Sequence, residues 1–248
     1  MKKTILLFSA VVTLSTASQA QIFKDILKKD SNGQTGAQKI LQKATSKNSL
    51  SSEEIISGLK EALNVGTNNS TAKLSMVDGF FKDAAIKILM PAEAQKVEQK
   101  LRSIGLGKQV DNAILSMNRA AEDAAKSAAP IFINAIKGIT IQDGLGILKG
   151  GDFAATNYLK GKTLAQLTEA FRPVIEQSLQ KVNATKYWKT VFSTYNTFST
   201  EKVNTDLTAY VTDKAMSGIF YQVGLEEQKI RKDPVARTTD ILKKVFAQ

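Results

Sequence analysis

Residues 163–182, T-L-A-Q-L-T-E-A-F-R-P-V-I-E-Q-S-L-Q-K-V, decide the fold class of this chain. Their large apolar side chains recur every three or four residues, at Leu164, Leu167, Phe171, Val174, Ile175, Leu179 and Val182. This spacing places the apolar side chains on one face of an α-helix. We therefore predict a long helix that Thr163 caps and that Pro173 kinks or breaks.

Helical patterns continue on both sides of this stretch. Ser51–Glu54 and Thr140–Asp143 each place a hydroxyl residue three positions before a carboxylate, which is typical of a capping box. Residues 108–128 carry an alanine-rich apolar face, and residues 185–198, 207–232 and 237–246 also have helical spacing. A sustained alternating pattern, the sign of a strand, is absent from the sequence. The predicted fold class is all-α, a single multi-helix bundle over residues 50–248 with short connections.

Turn residues predict where several of these helices begin and end. Asn68–Ser70 should weaken or turn the helix that starts after Ser51, and Asp78-Gly79 should form a turn. Pro91 suits the first position of a helix with an apolar stripe that reaches Ile104. Gly105 should end that helix in the left-handed conformation, which glycine adopts without a steric clash. Pro130 should break the alanine-rich helix.

A second group of turn residues lies at 150–152. Gly150-Gly151 should end a helix, with positive φ at the glycine. Asp152 should then cap a short helix that runs to Tyr158, because Asp is among the preferred capping residues.

Residues 1–20 have the layout of a secretory signal peptide. Lys2 and Lys3 precede the apolar run 5–14, and small residues at Ser18 and Ala20 predict cleavage after Ala20. The apolar run is shorter than the roughly 20 residues that span a membrane. We therefore expect an exported, soluble protein of the periplasm or the extracellular space, with no transmembrane span. The chain contains no Cys, so we expect neither a lipid anchor nor disulfides.

Residues 21–49 form a separate arm and linker in this interpretation. Ile22, Phe23, Ile26 and Leu27 share one apolar face, and lysines surround that face. Such a segment can lie on a membrane surface, pack on its own domain, or have no role.

Composition limits the possible chemistry and the partners. The formal net charge is +11, and removal of Lys2 and Lys3 leaves 11 − 2 = +9. This charge favours an anionic envelope component or a protein partner, whereas export disfavours nucleic acid; alternatively, it only keeps the protein in solution. The chain lacks His, which excludes Ser-His-Asp hydrolysis. We find no catalytic motif and predict no cofactor and no metal.

The strongest candidate for a polar site combines Asn118, Arg119 and Glu122 with Asp152. Arg119 and Glu122 lie three residues apart and can pair on one helix face. Buried together with Asp152, Glu122 could serve as half of the acid–base pair that glycosidases require. The alternative is an ordinary intrahelical ion pair.

Two arginines and a group of aromatic residues complete the candidates. Arg172 and Arg237 could each grip a carboxylate or phosphate, or form a surface salt bridge. The aromatic group could stack on sugars or bases, but its helical spacing favours core packing. Its members are Tyr187, Trp188, Phe192, Tyr195 and Phe198.

Five stretches of the sequence carry a resemblance to a bacterial family, domain of unknown function 4197. They are Gly58–Leu63, Ser116–Glu122, Asp143–Asp152, Ala170–Pro173 and Asp233–Asp240. The resemblance covers the chain from about Ser51 to its end, and the arm lies outside it. It implies an exported helical protein and carries over no activity.

Three functional hypotheses follow from these observations. The first is a non-catalytic binding or structural module with a basic surface. The second is a hydrolase that depends on the carboxylates of Glu122 and Asp152. The third is a peripheral membrane protein that uses residues 21–29.

Overall fold

The all-α prediction is confirmed. A computed structural model describes residues 50–200, 202–237 and 243, and within these residues it contains eight α-helices and no strand. Contacts along the chain divide it between Leu50 and Ser51, and all the helices described below belong to the second unit. The predicted signal peptide, the 21–49 arm and most of the predicted 237–246 helix lie outside the described residues.

The eight helices are connected by short segments, apart from the stretch 75–91 between the first two. They are α1 Ser52–Leu74, α2 Gln95–Ser103, α3 Gly107–Ala125, α4 Ala128–Lys137, α5 Ile141–Lys149, α6 Ala154–Lys181, α7 Ala184–Phe198 and α8 Leu207–Lys232. Single 3-10 turns lie at Ala92–Ala94 and Pro234–Ala236.

The two longest helices, α6 and α8, form the centre of the bundle. They pack against each other, α3 packs on α6, and α1 packs on α8. Leu167, Phe171, Ile175 and Leu179 of α6 recur every four residues and are completely buried. Burial of each of these side chains contributes roughly 1.5–3 kcal/mol to folding. The C-terminal half of the alanine-rich face of α3 is also fully buried, at Ala120, Ala121, Ala124 and Ala125, which allows a close approach to α6.

Both predicted capping boxes are present. At the start of α1, the Ser51 N–H donates to Glu54 Oε2 at 2.8 Å, and the Glu54 N–H donates to Ser51 Oγ at 3.1 Å. At the start of α5, Thr140 and Asp143 exchange the equivalent bonds at 3.0 and 3.1 Å. These local pairs satisfy amides that would otherwise lack a partner in the first helical turn.

The predicted end of α1 near Asn68–Ser70 is wrong. The helix continues to Leu74, because its polar side chains find partners without breaking it. Ser70 Oγ donates to the Gly66 carbonyl at 2.7 Å, and Asn69 Nδ2 donates to Glu226 Oε2 on α8 at 3.1 Å.

The predicted turns on either side of α2 are confirmed, with one adjustment. Asp78 has a φ of 71° and Gly105 a φ of 85°, both in the left-handed region. Pro91 leads first into the 3-10 turn, so that α2 begins at Gln95.

The break between α3 and α4 falls at residues 126–127, which places Pro130 inside the first turn of α4. Proline is tolerated there because that amide has no intrahelical acceptor.

The prediction of two helices over 152–182 is wrong, because α6 is continuous from Ala154 to Lys181. Thr163 caps nothing; its hydroxyl donates to the Leu159 carbonyl at 2.7 Å inside the helix. Pro173 lies within α6 without ending it. Gly150 ends α5 with a φ of −76°, so the predicted positive φ is also wrong. Glycine is required there for space, since a Cβ would lie 2.4 Å from Ala154 Cβ.

Three residues predicted for apolar faces are instead exposed, namely Ile104, Leu164 and Val182. Ile104 and Val182 are the C-terminal caps of α2 and α6, where the chain has already left the buried side of the helix. None of the described helices alone combines the length and apolarity of a membrane span; α4 and α5 do so only together, across a bend of 107°.

Candidate functional site

Glu122 on α3 is a buried carboxylate whose oxygens are both engaged. Its Oε1 accepts hydrogen bonds from the backbone N–H groups of Phe80 at 3.0 Å and Phe81 at 3.1 Å. Its Oε2 lies 2.6 Å from Arg119 Nη1, so the predicted intrahelical ion pair is confirmed. Glu122 thereby satisfies two amides in residues 75–91, a segment without an α-helix.

Asn118 lies one turn before Glu122 and holds the other end of the same segment. Its Oδ1 accepts from the Ile88 N–H at 2.9 Å, and its Nδ2 donates to the Ile88 carbonyl at 2.8 Å. The side chain is completely buried. Asn118 therefore pairs with both backbone groups of a single residue, which fixes the position of Ile88 against α3.

Arg119 connects the Glu122 carboxylate to the turn at Asp78. Arg119 Nη2 lies 2.7 Å from Asp78 Oδ1, and Lys82 Nζ lies 2.7 Å from Asp78 Oδ2. Hydrogen bonds from Lys82 and Arg119 lower the pKa of Asp78, and hydrogen bonds to Asp78 and Glu122 raise the pKa of Arg119. Asn118, Arg119 and Glu122 thus form one network, which we call the α3 cluster, and it anchors residues 75–91.

A second carboxylate with the same chemistry is Glu227 on α8. Its Oε1 accepts from the Ala155 N–H at 3.0 Å, and its Oε2 accepts from the Thr156 N–H at 2.8 Å and the Thr156 hydroxyl at 2.7 Å. Arg231 Nη2 lies 2.9 Å from Oε1 and also donates to the Ile147 carbonyl. A carboxylate at the N-terminus of a helix is favoured by the helix dipole. We call Glu227, Arg231 and Thr156 the α8 cluster.

The predicted capping role of Asp152 is wrong, and the α8 cluster explains the error. The N-cap of α6 is Phe153, which makes no side-chain capping bond, and Glu227 binds the amides of the first turn instead. The Asp152 carboxylate lies 2.8 Å from Lys232 Nζ, and both side chains are more than half exposed. The hydrogen bond from Lys232 lowers the pKa of Asp152.

The two arginines also have structural partners. Arg172 Nη2 lies 2.8 Å from Asp206 Oδ2 in an exposed ion pair, and this hydrogen bond raises the pKa of Arg172. Arg237 donates to the carbonyls of Ile230 and Arg231 near the end of α8, at 3.1 and 2.9 Å. Such bonds satisfy carbonyls that have no intrahelical donor.

The structure therefore brings together Asn118, Arg119 and Glu122, but gives Asp152 a separate partner. A hydrolytic pair needs two carboxylates that face one another across a substrate. The oxygens of Glu122 instead bind amides and a guanidinium, and Asp152 binds Lys232.

An open, mainly apolar groove lies between α3 and α7, with a volume of about 620 Å³. Buried Met117, Trp188 and Phe192 form part of its wall. Exposed side chains line its mouth, with exposed fractions of 53% for Val182 and 64% for Tyr187. We call this feature the α3–α7 groove.

Trp188 occupies a fixed position in the groove wall. Its indole N–H donates to the Asn204 carbonyl at 2.9 Å, and its ring lies 4.4 Å from the Phe192 ring, between centroids. It is the single tryptophan of the chain. Its fluorescence therefore reports on the groove without a contribution from another tryptophan.

The surroundings of the groove carry positive charge. Residues 177–200 contain Lys181, Lys186 and Lys189 and no Asp or Glu. Lys108 lies four residues before Asn112, a groove-lining residue, and thus on the same face of α3. Within residues 50–200 and 202–237, no carboxylate partner is present for Lys108, Lys186 or Lys189. The nearby Asp111 is already paired, with its Oδ1 2.8 Å from Arg102 Nη2.

Sequence reasoning missed the α8 cluster and the groove. Glu227 and Arg231 lie four residues apart on α8, a spacing that predicts an ion pair, as for Arg119 and Glu122. For the groove, the signal in the sequence was the occurrence of lysines and aromatic residues together in residues 181–198. The aromatic group divides accordingly: Trp188 and Phe192 are buried, and Tyr187 and Phe198 are exposed.

The fold and the site together define an all-α helical bundle. Its buried carboxylates are hydrogen-bonded within the protein, whereas the side chains at the mouth of its open apolar groove are exposed to solvent. The family model described as protein of unknown function (DUF4197) matches residues 49–247, which include every helix described above, and the chain belongs to this family. No curated protein and no solved structure shows significant similarity to the chain.

Proposed function

We propose that this protein is a non-catalytic binding module of the cell envelope whose ligand is an anionic amphiphile with a single apolar chain. The α3–α7 groove carries this proposal. Its volume of about 620 Å³ falls in the range of roughly 300–1,000 Å³ typical of small-molecule sites, which are mostly apolar with few polar groups. The signal-peptide pattern of residues 1–20 supports a location in the envelope.

The groove suits the apolar part of such a ligand. The exposed lining residues Val182, Tyr187 and Val191 present carbon surface and carry no charged group, and buried Met117, Trp188 and Phe192 lie behind them. Each methylene that leaves water for this surface stabilises the complex by roughly 0.8 kcal/mol. An acyl chain therefore gains affinity along its whole length, whereas a sugar or a small polar metabolite does not.

The rim suits the anionic part. Lys108, one helical turn from the groove-lining Asn112, is exposed and has no carboxylate partner in the described part of the chain. Gln109 and Asn112 add amide groups at the α3 side of the groove. Attraction between exposed charges falls within about 10 Å at 0.1 M salt, so the head group should contribute more at low ionic strength.

The other two hypotheses have less support. The hydrolase hypothesis needs a reactive carboxylate, but Glu122 uses both oxygens to hold residues 75–91. The membrane-surface hypothesis concerns residues 21–29, which lie outside the residues that the structure describes. Deletion of residues 21–49, followed by vesicle co-sedimentation, tests it separately.

Trp188 fluorescence provides the test of the proposal. The chain is titrated with a lysophosphatidylglycerol below its micellar concentration, and in parallel with the lysophosphatidylcholine that has the same acyl chain. We expect saturable spectral changes for both and tighter binding of the anionic lipid, with the difference reduced by salt. Absence of a saturable change with either lipid would contradict the proposal.

Matched variants assign the binding to the groove. Ala113→Phe fills the groove from α3, whereas Ala165→Phe adds the same side chain to an exposed position of α6. Only the first should abolish the titration. Lys108→Gln and Lys160→Gln remove the same charge beside the groove on α3 and on α6, and only the first should weaken binding of the anionic lipid.

A further inference from the structure

The α3–α7 groove has a defined length along both of its helices. Its lining residues run from Gln109 to Met117 on α3 and from Ala184 to Phe192 on α7. Each of these spans covers eight residue steps, which at about 1.5 Å per residue is about 12 Å. An extended alkyl chain advances roughly 1.3 Å per carbon, because its C–C bonds of about 1.5 Å zigzag at tetrahedral angles. The groove therefore covers roughly ten carbons of such a chain.

The α3 wall of the groove has a buried floor and a polar rim. Val110 and Met117 lie on one face of the helix and are buried, whereas Gln109, Asn112 and Ser116 lie on the adjacent face. The amide groups of Gln109 and Asn112 are exposed and have no hydrogen-bond partner in the part of the chain that the structure describes. Ser116 is half-buried, and its hydroxyl donates to the Asn112 carbonyl at 2.8 Å. Polar groups that a ligand can use therefore lie towards the start of α3.

Helix α6 covers α3 beyond Met117. Ser178 donates to Asp123 Oδ2 at 2.9 Å, and Val182, one turn later at the end of α6, lines the groove. Ala120, one turn beyond Met117, is completely buried. The groove is therefore closed where α6 meets α3, and we call this its inner end.

The opposite end of the groove lies at the first turn of α3, and we call it the outer end. Lys108 is exposed there and has no ion pair among the described residues. It lies one turn before Asn112 and next to Gln109, so a cation and two free amides share this end. The groove thus combines an apolar, closed inner end with a polar, cationic outer end.

We propose that the α3–α7 groove measures the length of its ligand and selects an amphiphile with a chain of roughly ten carbons. The anionic head group lies beside Lys108 at the outer end, and the last carbon of the chain lies near Met117 at the inner end. Methylenes beyond this length remain in water and add no affinity. This inference rests on the proposed function, because it specifies the ligand of the same site.

A series of n-alkyl phosphates with chains of about 6 to 16 carbons tests the length limit through Trp188 fluorescence, each below its micellar concentration. We expect each added methylene to lower the Kd roughly fourfold up to about ten carbons, after which the Kd should stay nearly constant. A Kd that falls at the same rate through the longest chain would overturn the length limit while leaving the proposed function intact. Absence of saturable binding by every member would overturn both.

Two variants test the orientation of the ligand. Ser116→Leu narrows the inner end and should move the plateau to shorter chains without changing the Kd of the shortest one. Ser217→Leu is the matched control, because Ser217 is exposed on α8 and also donates to the carbonyl four residues earlier, at 3.1 Å. Lys108→Gln should weaken all chain lengths by the same factor and leave the plateau in place, since the head group lies at the other end.

Thermal melts establish that these variants fold. A plateau that Ser116→Leu leaves unchanged would place the chain end elsewhere and overturn the orientation. A plateau that moves in Lys108→Gln would also overturn it, because Lys108 would then contact the end of the chain.

Discussion

The polar clusters and the α3–α7 groove differ in whether their side chains already have partners within the protein. In the clusters, the carboxylates of Glu122 and Glu227 accept backbone amides and arginine N–H groups at 2.6–3.1 Å. At the mouth of the groove, the apolar side chains of Val182, Tyr187 and Val191 face the solvent. The charged residues that most resemble a catalytic site therefore stabilise the fold, and the apolar surface is available for binding.

The two clusters also differ from each other. Glu227 binds amides at the start of α6, where a helix already orients them. Glu122 binds amides of residues 75–91, which have no helix to order them. Loss of the first should therefore destabilise the whole bundle, and loss of the second should act mainly on one segment.

The largest expected effect follows Glu227→Ala. This change leaves the partly buried Arg231 without its carboxylate and two buried α6 amides without an acceptor, which should lower the free energy of unfolding by about 3–5 kcal/mol. Chemical denaturation measures the loss. Glu169→Ala, which removes an exposed glutamate of α6 that has no hydrogen-bond or ion-pair partner among the described residues, is the control. A loss of stability no greater than that of the control would show that the α8 cluster does not stabilise the bundle.

Asn118→Ala should have a smaller and more local effect. It leaves the Ile88 N–H and carbonyl without partners, at a cost of about 1–3 kcal/mol. Hydrogen exchange should accelerate for amides in residues 80–88 more than for those in α6 or α8. Uniform acceleration along the chain would show that residues 75–91 unfold only together with the bundle.

Acid should weaken the α3 cluster in a predictable direction. Lys82 and Arg119 lower the pKa of Asp78 below its usual value of 3.8, so the unfolded chain binds more protons than the folded chain as the pH falls towards that value. The stability from Asp78 is present above pH 3.8 and is lost as the pH falls through the lowered pKa. Asp78→Asn should therefore show a shallower loss of stability between pH 5 and pH 3. An identical acid dependence in both proteins would contradict this assignment.

The smallest effect is expected at Asp152. Its carboxylate pairs with Lys232 in solvent and caps no helix, so both Asp152→Ala and Asp152→Asn should leave the thermal midpoint nearly unchanged. Thermal melts of the two variants check this. A marked destabilisation by Ala that Asn rescues would restore the capping role that the sequence predicts.

The features predictable from the sequence are those that neighbouring residues determine. The capping boxes at Ser51 and Thr140 and the extent of α8 depend on residues within one or two turns. The role of Asp152 was not predictable in this way, because Glu227, which binds the same helix start, lies 72 positions from Ala155. The groove combines α3 with α7, and helical spacing within either segment gives no distance between them.

The buried clusters should stabilise the fold without taking part in binding, and the α3–α7 groove should bind without stabilising the fold; the Trp188 titration with lysophosphatidylglycerol distinguishes the two roles. Ala113→Phe and Glu227→Gln are titrated beside the unchanged protein, and their thermal midpoints are measured. We expect Ala113→Phe to bind at least roughly tenfold more weakly with an unchanged midpoint, because a filled groove excludes the acyl chain. Glu227→Gln should melt earlier and bind as the unchanged protein does. Unchanged binding by Ala113→Phe would exclude the α3–α7 groove as the ligand site, and lost binding by Glu227→Gln at an unchanged midpoint would place Glu227 in that site.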